Sequence, residues 1–317
     1  NIFFVRWNGI SWVNASGQAF PANSANVSKS SSGSGSSSLV LKPDGNPAIT
    51  WHDYALGNSE IFFVNWNGTS WINASGQPYN GTNANVSNTS GQSRHPSLAL
   101  DPSGNPCIAW YDNTPGIPEI YFARWNGSSW VNASGTTLTA TNGNVSNNSG
   151  NSYEPSLALD PSGNPCIVWY YYTPGNNYEI FFARWNGSSW VNAPGATLTA
   201  TNGNVSNNSG DSYYPSLALD PSGNPCIAWN DLTPGNGETY FIEWTSSFDG
   251  SFNLTKSVDA NGDDIFDDSG KQVKVGDTLH YKIDWSFNNP NNDPLIDPYV
   301  YDTVPAGTHY LAGSATP

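Results

Sequence analysis

Ser97–Asp112 reads SLALDPSGNPCIAWYD, and nearly the same passage returns as SLALDPSGNPCIVWYY at Ser156–Tyr171 and SLALDPSGNPCIAWND at Ser216–Asp231. A looser copy, SLVLKPDGNPAITWHD, starts at Ser38. A second passage, EIFFARWNGSSWVNA at Glu179–Ala193, recurs over Ile2–Ala15, Ile61–Ala74 and Ile120–Ala133, and decays at Thr239–Trp244. Starts at 38, 97, 156 and 216 set a period of 59–60 residues. Such a period marks a supersecondary unit that must stack on its neighbours to bury its faces.

Each repeat reads as four strands. Strand A is Pro96–Leu100, and Asp101–Pro106 supplies a turn with Pro and Gly at suitable places. Strand B is Cys107–Tyr111, Asp112–Pro118 a loop, and strand C Glu119–Trp125. Asn126-Gly127 predicts a tight type I′ hairpin, since both residues accept positive φ. Strand D is Ser129–Asn132, which sets Trp125 and Trp130 across the hairpin from one another. A polar stretch follows, whose NVSNNSG core is expected to add a short extended piece. Strands B and C are apolar on both faces, so each small antiparallel sheet is covered on both sides. Four short strands with two-sided burial are what a β-propeller blade requires.

These residues also resemble, over Asn1–Trp244, the blades of extracellular bacterial and archaeal propellers of the broad sialidase-like (BNR-type) group. The resemblance implies an all-β chain with a propeller of about four to five four-stranded antiparallel blades. The turn DPSGNPCIAW matches that group's Asp-box, S-x-D-x-G-x-x-W, only approximately, with an extra residue between Asp and Gly. There are four A–B pairs but five C strands. Either residues 2–15 complete the blade begun at 216–229 and leave 239–244 surplus, or further residues or another subunit supply a missing A–B pair.

After Trp244 the Trp repeat stops. VGDTLHYKI (Val275–Ile283) and VYDTVPAGTHY (Val300–Tyr310) resemble an Ig-like module of prokaryotic surface proteins. In that family more strands follow this point, so the resemblance implies an incomplete β-sandwich. The expected domains are a propeller at 1–246 and a partial Ig-like module at 247–317.

Charged residues make up 11% of the chain, and 25 acids against 10 bases leave a net charge of −15. No basic footprint for nucleic acid exists, and no apolar run is long enough to span a membrane. Asn1 is not an initiator and the chain holds no Met, which suggests a processed or truncated product. Few charges, many hydroxyls and amides, and 14 Trp point to a secreted or cell-surface protein. Sequons at Asn67, Asn73, Asn126, Asn132, Asn144, Asn147, Asn186, Asn204, Asn207 and Asn253 are candidate N-glycosylation sites, although an Asn- and Ser-rich repeat also makes sequons by copying. Cys107, Cys166 and Cys226 share one repeat position that holds Ala48 in the looser copy, which describes a small buried slot better than a metal or redox site.

Asp259, Asn261 and Asp263 have the 1, 3, 5 spacing of a calcium loop, with Asp267 and Asp268 as further carboxylates. Gly270 stands where an EF-hand has Glu, so the expectation is a Ca²⁺ site of another type or a solvated acidic turn. The residues before strand A, Arg94, His95, Tyr153, Glu154, Tyr213 and Tyr214, differ between otherwise near-identical repeats. So do His52, Asp53, Tyr111, Asp112, Tyr171 and Asp231 after strand B. These positions line the expected top-face mouth, as a ligand site or as freely drifting loop residues. Arg6, Arg124 and Arg184 occupy one repeat position, so they form no single arginine triad, and no nucleophile–His–acid set is evident.

The sequence reading is therefore a non-enzymatic extracellular subunit of a filament, sheath or surface layer. Copies of itself are its expected partners, through the N-terminal strand and the open Ig-like edge. The alternatives are a multivalent lectin-like adhesin that binds glycans, and a degenerate sialidase-like hydrolase.

Overall fold

A computed structural model of the chain describes residues 1–19, 25–233, 235–243, 251–259 and 280–288. Its strands are β1 (Arg6–Trp7), β2 (Trp12–Val13), β3 (Ser34–Leu41), β4 (Pro47–Asp53), β5 (Glu60–Trp66), β6 (Trp71–Ile72), β7 (Ser93–Leu100), β8 (Pro106–Asp112), β9 (Glu119–Trp125), β10 (Trp130–Val131), β11 (Ser152–Leu159), β12 (Pro165–Tyr172), β13 (Tyr178–Trp185), β14 (Trp190–Val191), β15 (Ser212–Leu219), β16 (Pro225–Asp231), β17 (Glu238–Glu243), β18 (Ser251–Asp259) and β19 (His280–Asn288). No α-helix occurs among the described residues, hence none long and apolar enough to cross a membrane.

The chain divides into two compact units, Asn1–Ser246 and Ser247–Pro317. In the first, β3–β6, β7–β10 and β11–β14 form three four-stranded antiparallel sheets, each a blade in sequence order. β15–β17 make a three-stranded sheet, and β1–β2 a separate hairpin. The fold is a β-propeller. β17 holds the edge of β16 that residues 2–15 would need, so the hairpin does not complete that blade.

Burial follows the apolar character of strands B and C. Trp51, Trp110 and Trp169 are fully buried, and the core lies between successive sheets. Cys107 shares one such cluster with Trp169, and burial pushes its thiol up to about 12. Inner strands pack β3 on β7, β7 on β11 and β11 on β15, with no comparable packing of β15 back on β3. A hydrogen bond repeats at each step: the Leu98, Leu157 and Leu217 N–H groups donate to Ser38, Ser97 and Ser156 Oγ of the preceding blade, at 3.1, 3.0 and 3.1 Å. β17 is exposed along its length, including Tyr240, Phe241 and Ile242.

Two local features depart from the sequence reading. The Asn-Gly hairpin is a four-residue loop, because Trp125 pairs directly with Trp130. Asn126 Oδ1 accepts the Ser128 and Ser129 N–H groups at 3.0 and 2.9 Å, and of the Asn-Gly pair the glycine alone takes positive φ, +97°. Strand A is longer than expected, starting at Ser93, and it is bulged. Arg94 pairs with Tyr111 but Ser97 with Ala109, so His95 and Pro96 both oppose Trp110. The bulge recurs in β3, β11 and β15.

In the second unit β18 and β19 pair antiparallel, from Ser251↔Asn288 to Asp259↔His280. Asp259 ends β18, while Asn261, Asp263, Asp267 and Asp268 lie outside the described residues, as does most of the expected Ig-like module.

Candidate functional site

An extra residue in a strand bends it and re-aims a side chain. Here the bulged residues are Ser36, His95, Glu154 and Tyr214, with φ of 45°, 50°, 50° and 53°. L-residues pay about 1–2 kcal/mol for this left-handed conformation, and such strain gathers at functional positions. All four line one cleft of about 350 Å³, together with Ser38, Ser97 and Ser156 of the inner strands. It is the axial mouth of the propeller. His95 Nδ1 lies 3.5 Å from Glu154 Oε1. Burial outweighs their attraction: it lowers the His95 pKa, helped by Arg94, and raises that of Glu154.

Behind this ring the register pairs Gly35 with His52, Arg94 with Tyr111, Tyr153 with Tyr170, and Tyr213 with Asn230. Their rings join into one belt across the blades. His52 stacks on His95 at 6.1 Å between centroids, and His95 on Tyr111 at 5.6 Å. The belt continues from Tyr111 to Tyr153 at 5.2 Å, to Tyr170 at 5.6 Å and to Tyr213 at 5.5 Å. Tyr178 and Tyr214 flank its far end, and Arg94 lies over the Tyr54 ring at 5.6 Å at the near end. Gly35 leaves room for this packing: a Cβ there would lie 3.0 Å from the His52 ring, so the ring would have to give way. Burial, with His95 and Arg94, holds His52 down at about 4, so its imidazole is neutral at neutral pH. His52 Nδ1 and Arg94 Nε have no hydrogen-bond partner.

Arg94, His95, Tyr153, Glu154, Tyr213 and Tyr214 are thus brought together in two layers, ring and belt. His52 and Tyr111 join them. Asp53, Asp112, Tyr171 and Asp231 do not: they are fully buried. Asp53 accepts from Ser30, Ser34, Trp51 and the Ala55 N–H, a structural clasp between strands A and B. Asp231 repeats it with Ser212, Trp229 and Thr233. Tyr170 and Ser36 were missed by sequence reasoning. Strand alternation was the available signal for Tyr170, which follows the buried Trp169 on the opposite face of β12 and is half-buried there.

The sequon asparagines divide by environment. Asn67, Asn126 and Asn186 sit on exposed hairpin loops, where Oδ1 accepts the N–H of the following Thr or Ser. Asn73 and Asn132 donate Nδ2 to the Asn83 and Asn142 carbonyls at 2.9 and 3.0 Å. Asn144 and Asn204 Oδ1 accept the Asn147 and Asn207 N–H groups, and Asn253 lies in β18. Among the described residues no group of three His, Cys, Asp or Glu could hold a metal ion.

No family model matches the chain, and no curated protein does. Solved structures similar to it include a fucose lectin from Kordia zhangzhouensis, at 19% identity and a TM-score of 0.33, covering 49% of this chain and 95% of the lectin. An endo-arabinase from Bacteroides thetaiotaomicron is 14% identical with a TM-score of 0.39, covering 66% of this chain and 74% of that one. An endo-1,5-α-L-arabinanase from Thermotoga petrophila is 13% identical with a TM-score of 0.36, covering 69% and 63%. The expectation of a non-enzyme is corrected on this point: an endo-arabinase and an endo-1,5-α-L-arabinanase stand among the similar structures.

Proposed function

We propose that the chain is an extracellular carbohydrate-binding propeller whose ligand meets the axial mouth. The aromatic belt carries this reading. It runs unbroken from His52 to Tyr213 on positions where otherwise near-identical repeats differ. Half-buried tyrosines offer apolar ring faces with hydroxyl tips, and neutral imidazoles can donate and accept, the combination a saccharide's apolar faces and hydroxyls need. Tyr214, 66% exposed beside Glu154 in the cleft, is the ring most open to a ligand.

The test is glycan-array binding of the full chain, followed by titration calorimetry on Tyr213→Ala and Tyr214→Ala. Loss of binding in both variants with unchanged melting supports the reading; failure of the wild type to bind any glycan removes it. A second reading, assembly with copies of itself, has one observation behind it: the exposed Tyr240, Phe241 and Ile242 on β17. Concentration-dependent sedimentation, abolished by Phe241→Ser, would support it; a monomer at all concentrations would count against it.

A further inference from the structure

Away from the axis, a cleft of about 500 Å³ separates the first four-stranded blade from the second. Asn85 and Asn88 come from the loop after β6; Ser129, Trp130, Leu138 and Thr139 come from β10 and its flanks. No lining residue is charged. Amides and hydroxyls surround a half-buried indole and an aliphatic patch. That chemistry suits a neutral, amphipathic polyol and gives an ionised ligand no counter-charge.

The next junction repeats the lining of this cleft residue for residue. Asn85 and Asn88 return as Asn144 and Asn147, and Ser129, Trp130, Leu138 and Thr139 as Ser189, Trp190, Leu198 and Thr199. The geometry repeats as well. Trp130 meets Phe63 edge-on at 5.9 Å, and Trp190 meets Phe122 at 6.0 Å. Asn88 and Asn147 both have positive φ, 47° and 38°, with their backbone N–H groups tied to Asn85 and Asn144 Oδ1.

The junction before the first blade supplies a natural contrast. There Tyr79 stands at the Leu138 position and Lys29, also at positive φ, at the Asn88 position. Tyr79 is buried, its hydroxyl donates to the Ser28 carbonyl at 2.8 Å, and Lys29 Nζ lies 5.9 Å from its ring centroid. The same backbone therefore exists in a plugged form and an open form.

We infer that the two open junctions are equivalent binding sites for a neutral pyranoside, separate from the axial mouth. The apolar face of the sugar rests on Trp130 or Trp190, and its hydroxyls meet the Asn88 or Asn147 amide. The experiment follows the Trp130 and Trp190 indole N–H signals by ¹⁵N NMR. The full chain is titrated with the methyl glycosides of glucose, galactose, mannose, fucose and N-acetylglucosamine. The plug is then transplanted as N88K/L138Y, N147K/L198Y and both together. One glycoside is expected to shift both indoles; each plug should remove one shift and the combined variant both. Asn88→Gly and Asn147→Gly keep the positive-φ backbone and are expected to weaken the affected cleft roughly tenfold. These two variants keep the test valid if a plug disturbs folding. Binding that survives the combined plug but is lost in Tyr214→Ala overturns the inference and leaves the axial reading standing. Indole shifts that persist in Tyr214→Ala and vanish with the plugs support the clefts independently. No indole shift with any of the glycosides overturns the inference.

Discussion

Replacing Glu154 by Gly separates strain from function at the axial mouth. Glu154 holds φ at 50° in the bulge of β11. Leaving the left-handed region to glycine relieves about 1–2 kcal/mol, while the greater freedom of glycine in the unfolded chain takes back about 0.5–1 kcal/mol. The 3.5 Å approach to His95 is lost, but burial favours the neutral form of both partners, so little ion pairing goes with it. The balance is a gain of about 0.5–1 kcal/mol, or roughly 1–4 °C in melting temperature for a unit of this size. The carboxyl adds a pH dependence. Burial raises its pKa above the ordinary 4.5, so the folded chain holds the proton more tightly than the unfolded one. Wild-type stability therefore falls as pH rises from 4.5 through the raised value. The glycine variant lacks this fall, so its advantage is larger at about pH 8 than at about pH 4. Calorimetry and urea denaturation at both values measure it, with Ser36→Gly as a control that carries no carboxyl. A Glu154→Gly chain less stable than wild type by more than about 1 kcal/mol at both pH values would refute the reasoning, because the side chain would then be holding the bulge together.

Glu119 is nearly fully buried and accepts from Ser146 Oγ and the Asn148 N–H. Desolvation still raises it to about 7, so wild-type stability declines between about pH 4.5 and 7, and Glu119→Gln flattens that slope in equilibrium unfolding. Ser97→Ala strips the Leu157 N–H of its acceptor and is expected to cost about 1–2 kcal/mol; a change below about 0.3 kcal/mol would show that solvent replaces the hydroxyl. Gly35→Ala puts a methyl 3.0 Å from the His52 ring. It should displace that imidazole and shift the His52 and His95 NMR signals together, while those of Tyr213 and Tyr214 stay in place.

The repeat made the blades legible, because the apolar strands B and C and the turn chemistry recur at fixed spacing. The bulge was not legible. A proline in strand A reads as the start of a strand, whereas Pro96, Pro155 and Pro215 sit inside one, each just after its left-handed residue. The hairpin turn was misread for a related reason: Asn126 spends its side-chain oxygen on two backbone N–H groups, which makes a wider loop cheaper than two residues at positive φ. At the mouth, variation between repeats found His95, Glu154 and Tyr214 of the ring, but not Ser36, and part of the belt. It could not separate His52 and Tyr111 from Asp53 and Asp112, their sequence neighbours. Adjacent residues on a strand face opposite ways, so His52 and Tyr111 join the half-buried belt while Asp53 and Asp112 are fully buried on the other face.

The two kinds of position have opposite consequences for binding. At the axis one backbone device is used four times with four different side chains, Ser36, His95, Glu154 and Tyr214, so the repeat generates a single asymmetric site. At the junctions the side chains are the same in two successive copies, so the repeat generates equal sites held at a fixed distance by packed sheets. Linked equal sites raise avidity by about 10²–10⁴ without any new contact when a ligand can span them. A polysaccharide repeating one neutral sugar should then bind far more tightly than its monosaccharide, and closing a single cleft with N88K/L138Y should remove most of that advantage while leaving monosaccharide affinity at the other cleft unchanged. Equal loss for polymer and monomer would mean that the clefts act one at a time.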